Sequence, residues 1–486
     1  MKLKLHKKRN GVKKKSLNFT FKEIKIFCAY LVNHPDALIK AFFYFFKYGP
    51  NKFINKLILI EKKQKKFKKI KSTTYYRLLE IKYWLKKILF SPINFAKLFF
   101  LKIVPLIYFL TTNFFKILFL IIFPLIYFLI TILFFTVFKL FEFIFSTFRV
   151  KLEVNKDKTA LNGISFIIPT WNKKDMVIDC VKNLDNISSS ENKNIPKEII
   201  VIDNGSIDGT YEELMKLKTK TSLTSVRSEK NLGFARGINL GASKAKYNYI
   251  YLMNNDMVPK PNLIIEIVKF AQNLLDNNKP FFGLSSQIFF FDPKKRREES
   301  GKNYYRSDFG YLYVAHCVND NNLTAPSITG YPGGGSSFIN KDLFLKLCGY
   351  DKDLYLPLYD EDMDLGFIAW KLGFPSYFVP NSQIIHHHRS SSKKLAMDPN
   401  YYMFKNWVTF VLKNYDSWSL FLTHIFLFPF RMLSDQRFVT YAWENTKIIH
   451  KILYKKIMLS KYKRVYNDTE LINFPKFEFN FYNNEK

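Results

Sequence analysis

The chain has 486 residues and a formal net charge of +35, so it exceeds one compact core and should hold a domain of roughly 250 residues with flanking parts. Four cysteines without CxxC spacing exclude a zinc ribbon and a disulfide framework, and fit a reducing compartment. Residues 1–90 carry 25 Lys/Arg against 4 Asp/Glu with no recognisable nucleic-acid module, which leaves a membrane surface, not nucleic acid, as the expected partner.

The abundance of Lys, Asn, Ile, Phe and Tyr fits an AT-biased genome, but it does not explain why the positive charge is concentrated at one end. The N-terminus lacks a short apolar stretch with a small-residue cleavage site, so no secretory signal peptide is expected. Residues 1–95 form a basic region of apolar and basic residues at helix-like spacing, broken by Gly49-Pro50. It reads either as solvated helices or as helices resting on a bilayer.

Residues 96–148 follow as an apolar region. Ile117 to Phe138 is uncharged and long enough to cross a hydrocarbon core of about 30 Å, and Leu98 to Phe115 is similar apart from Lys102. The repeat of Pro105-Leu-Ile-Tyr-Phe-Leu110 as Pro124-Leu-Ile-Tyr-Phe-Leu129 predicts the two passes of a transmembrane or re-entrant hairpin, about 98–115 and 117–138. Two passes also keep the basic segment and the following domain on the cytoplasmic side, as the positive-inside tendency favours.

Residues 160–395 read as an α/β domain. Three apolar runs end abruptly in polar tips, which describes one edge of an open sheet, where ligands bind. The first tip is Pro169-Thr-Trp-Asn172. There Pro169 should stop the ladder, Thr170 and Asn172 expose polar atoms, and Trp171 would stack on a base or the whole tip would cap the next helix. The second is Asp203-Asn-Gly-Ser-Ile-Asp-Gly-Thr210. Its later residues suit a turn and a helix cap near Thr210, while Asp203 is placed to accept from a base N–H or a ribose hydroxyl. The third is Asn254-Asn255-Asp256, whose oxygens suit a divalent cation shared with a diphosphate, or a plain turn.

Between the second and third tips, Gly233, Gly237 and Gly241 lie at four-residue spacing. The last two suit close helix packing, and Asn231 and Gly233 precede a helix whose backbone amides would face an anion. Further on, Tyr331-Pro-Gly-Gly-Gly-Ser-Ser337 is a loop that either admits an acceptor or merely connects. Tyr359-Asp-Glu-Asp-Met-Asp-Leu365 puts four acids before an apolar helix, more than a helix N-terminus needs, so Glu361 and Asp362 are candidate catalytic groups. Ile384-Ile-His-His-His-Arg-Ser-Ser-Ser392 closes the domain. Three consecutive histidines cannot all face one way from an extended chain.

Residues 396–486 read as helices, Asn400 to Lys413 and Ser417 to Leu433, with an interfacial or core role for the second.

This ordered set of motifs, completed by Gly349-Tyr-Asp351 and Lys463-Arg-Val-Tyr-Asn-Asp-Thr-Glu-Leu471, resembles the family-2 inverting glycosyltransferases, particularly the rhamnosyltransferase-like branch. The resemblance covers about 240 residues and implies a GT-A fold, an open mostly parallel sheet with helices on both faces. It also implies a nucleotide-sugar donor, a lipid-linked or cell-surface glycan acceptor, and Mg²⁺ or Mn²⁺ as cofactor. Asp203 would contact the nucleotide, and Asp256 would hold the metal, assisted by His387 or His388. Asp362 would deprotonate the acceptor hydroxyl. Pro169, Thr170, Trp171, Asn172, Asn231, Gly233, Asn254 and Asn255 would complete the donor site.

Three positions depart from the family pattern. Asn254 stands where the metal element usually begins with Asp, Arg236 where a small residue is usual, and Ile368 where an Arg often follows the acidic element and would partner Asp364. A processive polysaccharide synthase would need a Gln-x-x-Arg-Trp element, which this sequence lacks, so transfer of a single sugar is the expectation. The remaining alternative is an inactive membrane scaffold binding nucleotide or glycan, against which Asp203, Asp256 and Asp362 argue.

Overall fold

A computed structural model describes residues 104–155, 159–190, 194–291, 301–308, 310–317, 323–387 and 398–474. The basic region 1–95 and the start of the apolar region lie outside the described residues. The chain divides into two compact units, residues 1–127 with 429–440, and residues 128–428 with 441–486. Everything below on packing and on the site concerns the second.

The elements in chain order begin with helix α1, Val104–Ser146. It is one unbroken 43-residue helix where a hairpin was expected. The stretch between the two repeats, around Asn113 to Lys116, carries no glycine or proline to turn the chain, and Pro124 is accommodated within the helix. Among the described residues one segment, Ile122–Ser146, is long and apolar enough to cross a membrane.

The sheet elements then alternate with helices: β1 Ile164–Thr170, α2 Lys174–Ser190, β2 Lys197–Asp203, α3 Thr210–Lys216, β3 Ser222–Arg227, α4 Phe234–Lys244, β4 Tyr249–Met253 and β5 Met257–Pro259. After them come α5 Leu263–Asp276, β6 Gly283–Phe290, the hairpin β7 Asn303–Asp308 and β8 Tyr311–His316, β9 Ser327–Thr329, β10 Ser336–Asn340, α6 Lys341–Lys346, α7 Glu361–Lys371 and β11 Ser376–His386. Five helices close the chain: α8 Pro399–Asn414, α9 Trp418–Ser434, α10 Arg437–Lys447, α11 Ile449–Ser460 and α12 Asp468–Ile472.

The main sheet runs β3-β2-β1-β4-β10-β6-β11-β5, with β9 paired to β11. Strands β1 to β4 pair in parallel, β10 runs antiparallel between β4 and β6, and β6 and β11 are parallel. The sheet is open with helices on both faces, as expected for a GT-A fold, and its strand directions are mixed rather than mostly parallel. β1 and β4 are buried along their whole lengths, as continuous apolar runs in a covered parallel sheet should be. The ladder does not stop at Pro169, because Pro169 pairs with Ile202 and Thr170 with Asp203.

Helix α4 lies close on β1 and β2. A Cβ at Gly241 would come 2.4 Å from the Ile167 side chain, and one at Gly237 would come 3.0 Å from the Asn204 amide. The glycines therefore set how near the helix can come to the sheet.

Helices α8 and α12 pack on the α/β domain, and α9 packs on α1. Phe135 of α1 stacks on Phe421 of α9 at 3.7 Å between ring centroids, and Phe128 meets Phe426 at 5.7 Å, so the two helices run antiparallel along this contact. Both helices leave Leu129, Leu133, Leu140 and Leu422 exposed, together with Phe426 at the edge of the contact. Helix α9 is keyed to the β7–β8 hairpin: His424 Nδ1 lies 2.8 Å from the Gly310 carbonyl oxygen, and Phe428 stacks on Tyr311.

Candidate active site

The three strand tips converge through their backbones and amides. The Asn204 amide donates to the Thr170 carbonyl at 2.9 Å, and Asn255 Nδ2 donates to Thr170 Oγ1 at 2.8 Å. Asp203 is fully buried. Its Oδ1 accepts from the Ser206 amide at 3.0 Å, while Oδ2 has no hydrogen-bond partner and lies 3.7 Å from Arg227 Nε. A buried carboxylate oxygen left without a donor suits a base N–H or a ribose hydroxyl. Trp171 stands half-exposed at the same tip.

Asn172 is occupied differently. Its amide donates to Ser206 Oγ at 2.9 Å, and its Oδ1 accepts from the Ile207 amide at 2.8 Å, so it binds the 204–208 loop to the first tip. Asn231 likewise bonds locally, accepting from the Gly233 amide at 2.9 Å, and Gly233 takes a left-handed φ of 82° before α4.

The third tip meets the end of β11. The pairing of His386 with Met257 brings His386 Nε2 to 3.4 Å from Asp256 Oδ1, and the His387 amide donates to the Asp256 carbonyl at 2.9 Å. Among the described residues the imidazole beside Asp256 is that of His386, where His387 or His388 was expected. The His387 ring turns to the other side and packs on Phe291 at 3.9 Å between centroids, as alternation along an extended chain requires. His388 lies outside the described residues.

One carboxylate oxygen and one imidazole nitrogen from neighbouring strands fit a divalent cation such as Mn²⁺ or Mg²⁺. Among the described residues no group of three His, Cys, Asp or Glu side chains could hold a metal alone, so a diphosphate would have to supply the remaining oxygens.

The glycine loop before β10 joins this donor half to the acidic helix. The Gly335 carbonyl accepts from the Asn254 amide at 3.1 Å, and the Gly334 amide donates to Asp362 Oδ2 at 2.7 Å. Asp362 Oδ1 accepts from the Met363 amide at 2.8 Å. A Cβ at Gly335 would lie 2.5 Å from Asn254 Nδ2, so the close approach needs glycine. The loop's role in holding Asp362 was not visible in the sequence, where three glycines carried no sign of what their amides would bond.

The acids of the α7 turn divide by environment. Burial, reinforced by the neighbouring Asp362 charge, pushes the Glu361 carboxyl well above the usual carboxylate range, and Glu361 Oε2 has no hydrogen-bond partner. Burial and Asp362 raise Asp360 in the same way, against a hydrogen bond from Trp407 Nε1 at 3.3 Å. Asp360 itself sits at a left-handed φ of 72°. Asp364, on the far side of the turn, accepts from Tyr355, Asn414 and Lys413. The missing Arg partner is thus replaced by a lysine from α8, 49 residues away, which no local pattern signals.

Residues 165–328 match the family model for Glycosyl transferase family 2. Among curated proteins the chain is 28% identical over 237 residues to a poly-beta-1,6-N-acetyl-D-glucosamine synthase of Staphylococcus aureus (strain MSSA476), covering 47% of this chain and 50% of the relative. The chain thus spans about half the length of the curated relatives it matches. Solved structures with a similar fold include GalNAc-T7 with UDP, GalNAc and Mn²⁺, at 18% identity and a TM-score of 0.43, covering 56% of this chain and 53% of that one. Another is the mannosyltransferase PcManGT from Pyrobaculum calidifontis with GDP-Man and Mn²⁺, at 14% identity and a TM-score of 0.38, covering 70% and 93%. Over residues 165–328 the α/β domain of this chain is thus similar to glycosyl transferase family 2 domains.

Proposed function

We propose that the chain is a membrane-attached, inverting glycosyltransferase that moves one sugar from a nucleotide-sugar donor to a hydroxyl of a lipid-linked or cell-surface glycan. The observation that carries this is the Gly334–Gly335 bridge, which joins the Asn254-Asn255-Asp256 tip to Asp362 through two hydrogen bonds. Asp203 and Trp171 bind the nucleotide, and Asp256 with His386 faces the donor diphosphate. A Mg²⁺ or Mn²⁺ ion held there supplies charge stabilisation for the leaving diphosphate. Asp362 Oδ takes the proton of the acceptor hydroxyl as its oxygen attacks the anomeric carbon from the face opposite the diphosphate. That displacement inverts the anomeric configuration. Burial raises the carboxyls of Glu361 and Asp360, whereas Asp362 is the acid of this turn that the glycine loop joins to the donor half.

Membrane attachment is supported by the apolar Ile122–Ser146 segment and by the exposed apolar faces of α1 and α9. It would confine the enzyme where lipid-linked acceptors lie. The rhamnosyltransferase-like branch, with a cytoplasmic catalytic domain, remains our assignment from the motif set. The polymer synthases among the relatives favour a second reading, processive addition. Incubating the solubilised chain with Mn²⁺ and a panel of UDP-, GDP- and dTDP-sugars, then sizing the product on an added glycan, separates the two. One added residue supports single transfer, a ladder supports the synthase, and no cleavage of any donor refutes both.

A further inference from the structure

Asp364 lies two residues beyond Asp362 in the first turn of α7. Its Oδ1 accepts from Tyr355 Oη at 2.9 Å and from Asn414 Nδ2 at 2.7 Å, and its Oδ2 accepts from Lys413 Nζ at 2.5 Å. The same ammonium donates to Asp351 Oδ2 at 3.1 Å, and Asp351 Oδ1 takes Lys455 at 2.6 Å. The side chains of Lys413, Asp364 and Asp351 are 4%, 2% and 5% exposed, so the bridge is shielded from solvent.

Helix α7 offers Asp364 no cation of its own. Ile368, one turn on, is buried in an apolar cluster, and Lys371 turns away to Asp416. Burial opposes the charge on Lys413, but Asp364 and then Asp351 outweigh it and hold the ammonium above the usual lysine range.

We propose that Lys413 is a positioning residue for catalysis: from α8 it clamps the α7 turn and the 350–355 loop in the orientation that seats Asp362 on the Gly334 amide. The inference rests on Asp362 being the base. Asp360 just before α7, Glu361 and Asp362 of α7, Asp351 and Tyr355 of the loop, Tyr305 of β7, Lys405 of α8 and Lys455 of α11 all face or border this cluster. Lys413 carries the charge that offsets Asp364 at its centre. Taking away one partner of a buried pair leaves the other uncompensated, and the local structure must rearrange to rehydrate it. A shift of about 1 Å at the base is enough to cost roughly a hundredfold in rate.

The test uses the full chain in detergent, with Lys413→Met, Lys413→Arg and Asp362→Asn, and the nucleotide sugar that the wild-type chain cleaves fastest. Lys413→Met is expected to lower kcat roughly 100-fold with donor KM within about twofold. It should speed amide exchange at 360–365 without affecting β1, β2 or β4, and Lys413→Arg should recover most of the loss. Unchanged kcat, equal defects in the Met and Arg variants, or faster exchange throughout the domain would each overturn the proposal. If Lys413→Met does not fold, Lys413→Met/Asp364→Asn removes the stranded charge and gives the same readouts. Full activity in Asp362→Asn refutes the base assignment itself. An inactive Asp362→Asn beside a fully active Lys413→Met refutes only the clamp.

Discussion

The Gly334 amide donates to Asp362 at 2.7 Å, and the next residue in the loop holds Asn254 through its carbonyl. One short turn of backbone therefore fixes the spacing between the proposed base and the strand tip proposed to face the diphosphate. On the strand-tip side the link is backbone to backbone, and the Asp362 rotamer is the one side-chain geometry the bridge uses.

The first prediction follows from that bond. Asp362→Asn keeps the shape and can still accept from Gly334 but cannot take a proton. Transfer should fall roughly 10³-fold while donor affinity, measured by calorimetry with the same nucleotide sugar, stays within about twofold. A large loss of affinity would sink the assignment of Asp362 as base.

Asp256 and His386 should act at the donor. Asp256→Ala is expected to abolish the Mn²⁺ dependence of donor binding, and His386→Ala to weaken it by roughly 10- to 100-fold. His387→Ala should leave it unchanged, because that ring packs on Phe291. Thermal stabilisation by nucleotide, titrated against Mn²⁺, reads all three. Equal effects from His386 and His387 would contradict the placement of His386 beside Asp256.

Acid stability should report on Asp351. Burial alone would raise this carboxyl, but Lys413 and Lys455 outweigh it and bring it down to about 2 from 3.8. The folded form binds its proton less tightly than the unfolded form. The stabilisation is therefore complete above pH 4 and is lost as the pH falls towards 2. It amounts to about 2 kcal/mol. Urea unfolding of Asp351→Asn should show that much less stability at pH 6 and a smaller difference near pH 2, and a constant difference would rule out the linkage.

Close packing of α4 on β1 predicts a purely structural variant. Gly241→Ala sets a Cβ 2.4 Å from Ile167, and the fully buried Ile167 has little room to yield. The expected cost is about 1–3 kcal/mol, read as a lower Tm without change in donor KM at permissive temperature. An unaltered Tm would show that the helix can slide.

The exposed sides of α1 and α9 should meet lipid. Leu133→Lys and Leu422→Lys place charge on those faces without touching the Phe135–Phe421 stack. Each is expected to reduce co-sedimentation with phosphatidylglycerol vesicles, and undiminished binding would count against lipid contact at these faces.

Much of the sheet was legible because each strand is a continuous apolar run ending in polar residues, and β1, β2 and β4 ended close to where those runs stopped. Helices α8 and α9 were legible for the matching reason at helical spacing. The errors arose where local pattern underdetermines geometry. The Pro-Leu-Ile-Tyr-Phe-Leu repeat suggested two passes, yet a repeat does not create a turn without residues that turn the chain. The histidine run gave the alternation but not its phase, which the register of β11 on β5 sets. Neither Gly334 holding Asp362 nor Lys413 holding Asp364 could be read from spacing, since the partners lie 28 and 49 residues apart.

Asp416, just after α8, has a consequence for the boundaries of the molecule. Burial alone would raise its carboxyl, but Lys371 of α7, Lys456 of α11 and Arg464 outweigh that and hold it well below the usual range. Three cations from separate stretches of chain converge on one acid, and Arg464 lies 136 residues beyond the last residue of the family match. A chain trimmed to the matched region would lose Asp362 and Lys371 altogether, and one cut after α8 would strand Lys371 at the end of the helix that carries Asp362. The smallest autonomous catalytic piece should therefore extend past Arg464.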